Sequence, residues 1–62
     1  MIKYDYNPDN DAMVRMEQLQ VNGMYLVTFS NGSGTLFKMM CDTLEDAETC
    51  YSNYLREVNH DN

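Results

Sequence analysis

Few residues in this 62-residue chain have the types and spacing that chemistry requires. The single histidine, His60, stands beside the C-terminus, and the two cysteines, Cys41 and Cys50, are nine positions apart. A thiolate nucleophile needs a base held against it, and a structural zinc ion needs four ligands. Cys41, Cys50 and His60 are one ligand short and match no zinc spacing. The run Asp5-Tyr6-Asn7-Pro8-Asp9-Asn10-Asp11 is rich in oxygen donors like a calcium loop. It lacks the glycine and the closing bidentate Glu of that motif and reads as a solvated turn. Ser30-Asn31-Gly32-Ser33-Gly34 is glycine-rich, but it has no lysine and opens no helix directly. It reads as a hairpin tip and not as a phosphate cradle. No catalytic residue, metal or cofactor is expected, and the chain reads as non-enzymatic. What remains is charge. Asp42, Glu45, Asp46 and Glu48 form an acidic cluster. Helix capping and a solvated face account for it in structural terms. In functional terms it is an anionic patch that suits a basic groove, in company with Asp9, Asp11, Glu17, Glu57 and Asp61.

The overall charge points the same way. Ten acidic residues against four basic ones give a formal −6. Nucleic-acid binders gain affinity by setting Lys and Arg on phosphates. Here Lys3, Arg15, Lys38 and Arg56 are widely spaced, so direct DNA or RNA binding is not expected. Six Met and five Tyr suit a binding surface as well as a core. No apolar run approaches the roughly 20 residues that span a bilayer. The N-terminus has no basic region followed by an apolar stretch. A soluble, cytoplasmic protein is expected, with no membrane partner. Cys41 and Cys50 are then read as free thiols in a reducing compartment, although a disulfide between them is geometrically open.

The elements that position these residues follow from periodicity. The chain reads as one domain over residues 1–62, in which 1–11 form an extended arm and loop. Ile2, Tyr4 and Tyr6 alternate with polar residues there. A helical turn near 10–13 leads to a strand over 14–21. Further strands over 24–30 and 35–41 follow the two Asn-Gly turn signals, Asn22-Gly23 and Asn31-Gly32. A helix over 43–58 has Thr43 as N-cap, acids in its first turn and Arg56 in its last. Leu44, Ala47, Tyr51, Tyr54, Leu55 and Val58 form its apolar stripe, with Cys50 beside it. The fold class is α+β: a three-stranded antiparallel meander over 14–41 with one C-terminal helix packed on one face.

Strand parity distributes the apolar residues over two faces. A two-residue turn at Asn22-Gly23 sets Val21 opposite Met24 and Leu19 opposite Leu26. The second turn has two or four residues, and either length keeps the same faces. One face then carries Leu19, Val21, Met24, Leu26, Phe37, Met39 and Cys41, and is assigned to the helix. The other carries Met16, Tyr25, Val27, Phe29, Leu36 and Met40. It is a surplus that one helix cannot cover. The arm at Ile2, Tyr4 and Tyr6 folds across it, or it is a partner or dimer interface.

The stretch Tyr25-Leu26-Val27-Thr28-Phe29, a turn, a strand and then Asp42-Thr43-Leu44-Glu45-Asp46-Ala47-Glu48 resembles the N-terminal domain of HicB-like antitoxins. The resemblance covers residues 23–58. It implies protein binding and inhibition. That family's Pro-rich turn and the Gly before Asp42 are missing, and so is its DNA-binding extension, which removes operator recognition from the implication. The meander-plus-helix order also resembles the arm-binding domains of integrases. Those are basic, so their DNA binding does not carry over. In size and acidity the chain is similar to small phage-encoded inhibitors, including anti-CRISPR proteins and inhibitors of host polymerase.

The expected function is an acidic protein-binding inhibitor, encoded by a phage or mobile element, that occupies a basic nucleic-acid-handling surface of a host protein. Asp42, Glu45, Asp46 and Glu48 would supply the charge. Tyr25, Val27, Phe29, Leu36 and Met40 would supply the apolar contact. The alternatives are an antitoxin-like module that binds a toxin through its sheet, and a homodimeric structural or adaptor protein.

Overall fold

Three hairpins follow one another along the chain before a helix closes it. The computed structural model describes residues 2–59. His60 and Asp61 therefore lie outside the described residues. Strands β1 (Lys3–Asn7), β2 (Ala12–Gln18), β3 (Tyr25–Ser30) and β4 (Leu36–Cys41) precede helix α1 (Leu44–Val58). The sheet order is β1-β2-β3-β4, with every neighbouring pair antiparallel. The α+β class with a C-terminal helix stands as expected, but the sheet has four strands and not three.

The extra strand is the N-terminal arm. Asn7 opposes Ala12, so residues 8–11 close a tight loop. Asn7 Oδ1 accepts the Asp9 N–H at 3.0 Å, an Asx turn, and Asp11 takes φ 53°. Tyr6 donates its hydroxyl to Asp11 Oδ1 at 3.0 Å. This loop replaces the expected helical turn near 10–13, so β2 begins at Ala12 and ends at Gln18. The arm extends the sheet edge to edge and does not fold across a face.

The two Asn-Gly turns are longer than two residues. Leu19 N–H donates to the Met24 carbonyl at 2.8 Å, which closes a four-residue loop over 20–23. The register is two residues off the expected pairing of Leu19 with Leu26, so β2 and β3 keep their relative faces. Val21 is left at the tip, 90% exposed. The second loop has an odd length. Asn31 N–H donates to the Thr35 carbonyl at 3.1 Å, and Gly34 N–H donates to the Asn31 carbonyl at 3.3 Å. Gly34 sits at φ +89°. A β-turn followed by a positive-φ glycine is the three-residue hairpin loop. One residue more than two, or fewer than four, moves every β4 side chain to the opposite face.

The corrected faces explain the core. Val14, Met16, Val27, Phe29 and Cys41 share one face of the sheet and pack under Ala47, Tyr51 and Val58 of α1. Tyr25, Cys50, Tyr54 and Leu55 border that core, and Leu44 is exposed. The helix therefore covers the face expected to be surplus. Its start is capped as expected: Thr43 Oγ1 accepts the Asp46 N–H at 3.1 Å. Its end is tied to the first hairpin, because the Val58 carbonyl accepts the side-chain amides of Asn7 at 2.9 Å and Asn10 at 3.0 Å. Gly32 approaches this corner so closely that a Cβ there would meet Asp11 Cβ at 3.1 Å.

Candidate functional site

The acidic and apolar residues singled out in sequence are only partly brought together. Val27 and Phe29 are buried and Tyr25 half-buried, all beneath the helix. Val27 and Phe29 hold the core and are not available to a partner, whereas Tyr25 borders it. Phe29 stacks on Tyr54 at 5.1 Å between ring centroids. Leu36 and Met40 point to the opposite, open face. That face is crossed by rows of directly opposed residues, Tyr4–Arg15–Thr28–Lys38 and Tyr6–Met13–Ser30–Leu36. Arg15 Nε lies 3.4 Å from Glu17 Oε1, an ion pair without hydrogen-bond alignment. Thr28 is buried between Arg15 and Lys38, and its hydroxyl has no partner among the described residues. The open face thus carries two of the four cations, together with exposed Tyr4 and Tyr6.

Strand β4 is the exposed apolar element. Leu36, Phe37, Met39 and Met40 are 59%, 52%, 47% and 45% exposed, and only Cys41 is buried. Phe37 and Met39 face the helix side, yet α1 does not reach far enough to cover them. Phe37 stacks on Phe29 and Tyr54 at 6.4 and 6.1 Å. Sequence parity placed both residues under the helix, and they do lie on its side of the sheet, because the odd length of the Asn31 loop turns them to the face of Val27 and Phe29 that the helix covers. The edge position of β4 leaves them half in water. The signal that could have found them is Gly34, placed where a three-residue loop needs a positive φ.

The acids start where β4 ends. Asp42, Glu45, Asp46 and Glu48 are all exposed. Asp46 joins Met39, Thr49, Cys50, Asn53 and Tyr54 around a groove of about 480 Å³ between β4 and α1. Glu45 and Glu48 line a wider depression of about 920 Å³ with Ser52 and Arg56 on the solvent side of the helix. That depression is bounded by α1 and its C-cap alone, and one convex element offers no opposing wall. The groove has two walls and is the better site. Residues two apart on a helix are about 200° apart around its axis, so Glu48 and Asp46 lie on different flanks. The four acids form a collar around the helix start, with Asp46 alone lining the groove beside β4.

Both cysteines are free thiols, and burial together with neighbouring Cys41 pushes the Cys50 thiol above its ordinary pKa. The Tyr51 hydroxyl donates to Asp5 Oδ2, with the Val14 carbonyl a longer contact at 3.4 Å. Lys3 Nζ stands 5.3 Å from the centroid of the Tyr51 ring. Among the described residues, no group of three or more His, Cys, Asp or Glu is placed to hold a metal ion, and no helix is long and apolar enough to cross a membrane. No protein-family model matches the chain, and no curated protein or solved structure matches it.

Proposed function

We propose that this chain is a small acidic, non-enzymatic inhibitor that binds a basic, nucleic-acid-handling surface of a host protein. The observation that carries the reading is the continuity of β4 with the start of α1. Four exposed apolar residues lead within a few positions to four exposed carboxylates. An apolar strip left open calls for a cover, and a carboxylate collar beside it favours a cover with a basic rim. Of the cations, Lys38 lies within this strip on its open-face side, and Arg15 lies two strands farther in on the same face. At net −6 the chain repels phosphate and attracts the surfaces that bind it. Its carboxylates would then stand where phosphates stand.

The test is capture from host extract with the immobilised chain and with a Glu45→Lys, Asp46→Lys, Glu48→Lys variant. The wild type is expected to retain a nucleic-acid-handling protein that salt or added nucleic acid displaces, and the variant to lose it. Equal retention by both would overturn the proposal. A second reading is an antitoxin-like module that binds a toxin through its sheet. The exposed Tyr4, Tyr6, Leu36 and Met40 on the open face favour it. Capture that survives charge reversal but is lost on replacing those four with Ser would select it.

A further inference from the structure

We infer that the free edge of β4 is a docking line on which an extended, partly basic segment of the partner protein joins the sheet as a fifth strand. The inference rests on the proposed basic partner and adds the way in which it is held.

The backbone supplies the first argument. The hydrogen bonds Leu19 N–H to Met24 and Asn31 N–H to Thr35 fix the alternation of the ladder. With the β3–β4 register, Phe37, Met39 and Cys41 direct their N–H and C=O groups toward β3. Leu36, Lys38 and Met40 direct theirs outward, where no strand of the described residues meets them. Six residues at about 3.4 Å each give a line near 17–20 Å, enough for a segment of five or six residues.

The side chains supply the second. On the helix side, an added strand would lie beside Phe37 and Met39 and along the groove shared by Met39, Cys50 and Tyr54. Apolar side chains suit that stretch. Toward the Cys41 end the same face meets Asp46, with Asp42 next in the chain, and there Lys or Arg is complementary. Both edges carry charges that discourage strand addition, Lys3 and Asp5 on β1 and Lys38 on β4. β4 alone runs directly into exposed carboxylates, and Lys38 calls for an uncharged or acidic neighbour on the open face. A second copy of the chain fits β4 less well. Centring a two-fold axis on Lys38 sets lysine against lysine, and any centring brings two chains of net −6 edge to edge.

The probe is a synthetic, end-blocked hexapeptide, Lys-Thr-Val-Thr-Val-Thr, whose Lys and two Val share one face with Thr on the other, compared with the same peptide N-methylated at alternate amides. Binding is followed by NMR titration, with hydrogen exchange read at Leu36, Lys38 and Met40. The parent peptide is expected to bind, to slow exchange at these three amides, and to weaken with salt. N-methylation is expected to weaken it by about tenfold or more, since the removed donors face the edge. Lys38→Pro should do the same while the chain stays folded by circular dichroism, because its lost N–H points away from β3. If that variant does not fold, the methylated peptide decides the question. Equal binding of parent and methylated peptides overturns strand addition, as does absence of binding by the parent. If host capture still responds to charge reversal in either case, the acidic-inhibitor reading stands without it. A free chain that sediments as a dimer, and as a monomer after Lys38→Pro, also overturns the inference by making a second copy the occupant.

Discussion

Tyr51→Phe removes one hydroxyl from the centre of the helix–sheet interface and leaves the ring in place. Tyr51 is buried, and its hydroxyl donates to the carboxylate of Asp5. A hydrogen bond to a charged acceptor contributes about 1.5–3 kcal/mol. Asp5 is exposed, so water recovers part of that when the donor is gone. The remaining loss is about 1–2 kcal/mol, which for a domain of this size lowers Tm by roughly 4–16 °C. Lys3 keeps a ring to stand over, so the cation–π contact does not change the comparison. The pH dependence is the sharper readout. Burial, then the hydrogen bond and charge of Asp5, raise the Tyr51 pKa above its ordinary value of 10.0. The native state therefore holds this proton after the unfolded chain has released it. The stabilisation is complete below about pH 10 and is lost as pH rises through the folded value. Thermal melts by circular dichroism from neutral to alkaline pH should show a steeper alkaline fall for wild type than for Tyr51→Phe, with the gap narrowing. Tyr6, also raised by its hydrogen bond to Asp11, adds the same slope to both. Parallel curves, or a neutral-pH Tm unchanged by the substitution, would refute the role given to this hydroxyl.

Three further outcomes follow from the packing. Phe29→Ala, which empties a site 5% exposed between Phe37 and Tyr54, should cost about 3–5 kcal/mol and leave a domain this small largely unfolded, whereas Met40→Ser should cost under about 1 kcal/mol in a denaturant titration. Gly34→Ala should lower stability by about 1–2 kcal/mol in the same assay, because the residue sits at φ +89°, and an unchanged midpoint would argue against the three-residue loop. Cys50, its pKa raised by burial and by Cys41, should react with iodoacetamide at neutral pH much more slowly than the same thiol in denaturant; equal rates would contradict its placement against the core.

The meander and the capped helix were legible because their signals are local. Asn22-Gly23 and Asn31-Gly32 announce turns, and Thr43 followed by Asp46 announces a helix start, without reference to the rest of the chain. The fourth strand was half legible: the alternation of Ile2, Tyr4 and Tyr6 is a strand pattern, but only the closure of Asn7 on Ala12 makes it a sheet member. Facing was not legible, because parity depends on whether the loop after Ser30 holds an even or odd number of residues. That turns on the φ of one glycine. The consequence differs by strand. Tyr25, Val27 and Phe29 lie on an interior strand, where one face must be core, so assigning them to the open face exchanged a binding surface for the centre of the fold. Leu36 and Met40 lie on an edge strand that projects beyond the helix, where either face meets solvent. Their exposure survives the parity error, and Phe37 and Met39 join them for the same reason. An apolar edge strand exposed on both faces cannot be buried by a sheet-face interface alone. It is covered most completely by something that also satisfies its backbone, which is why the surplus of apolar residues points to the rim of the sheet and not to its middle.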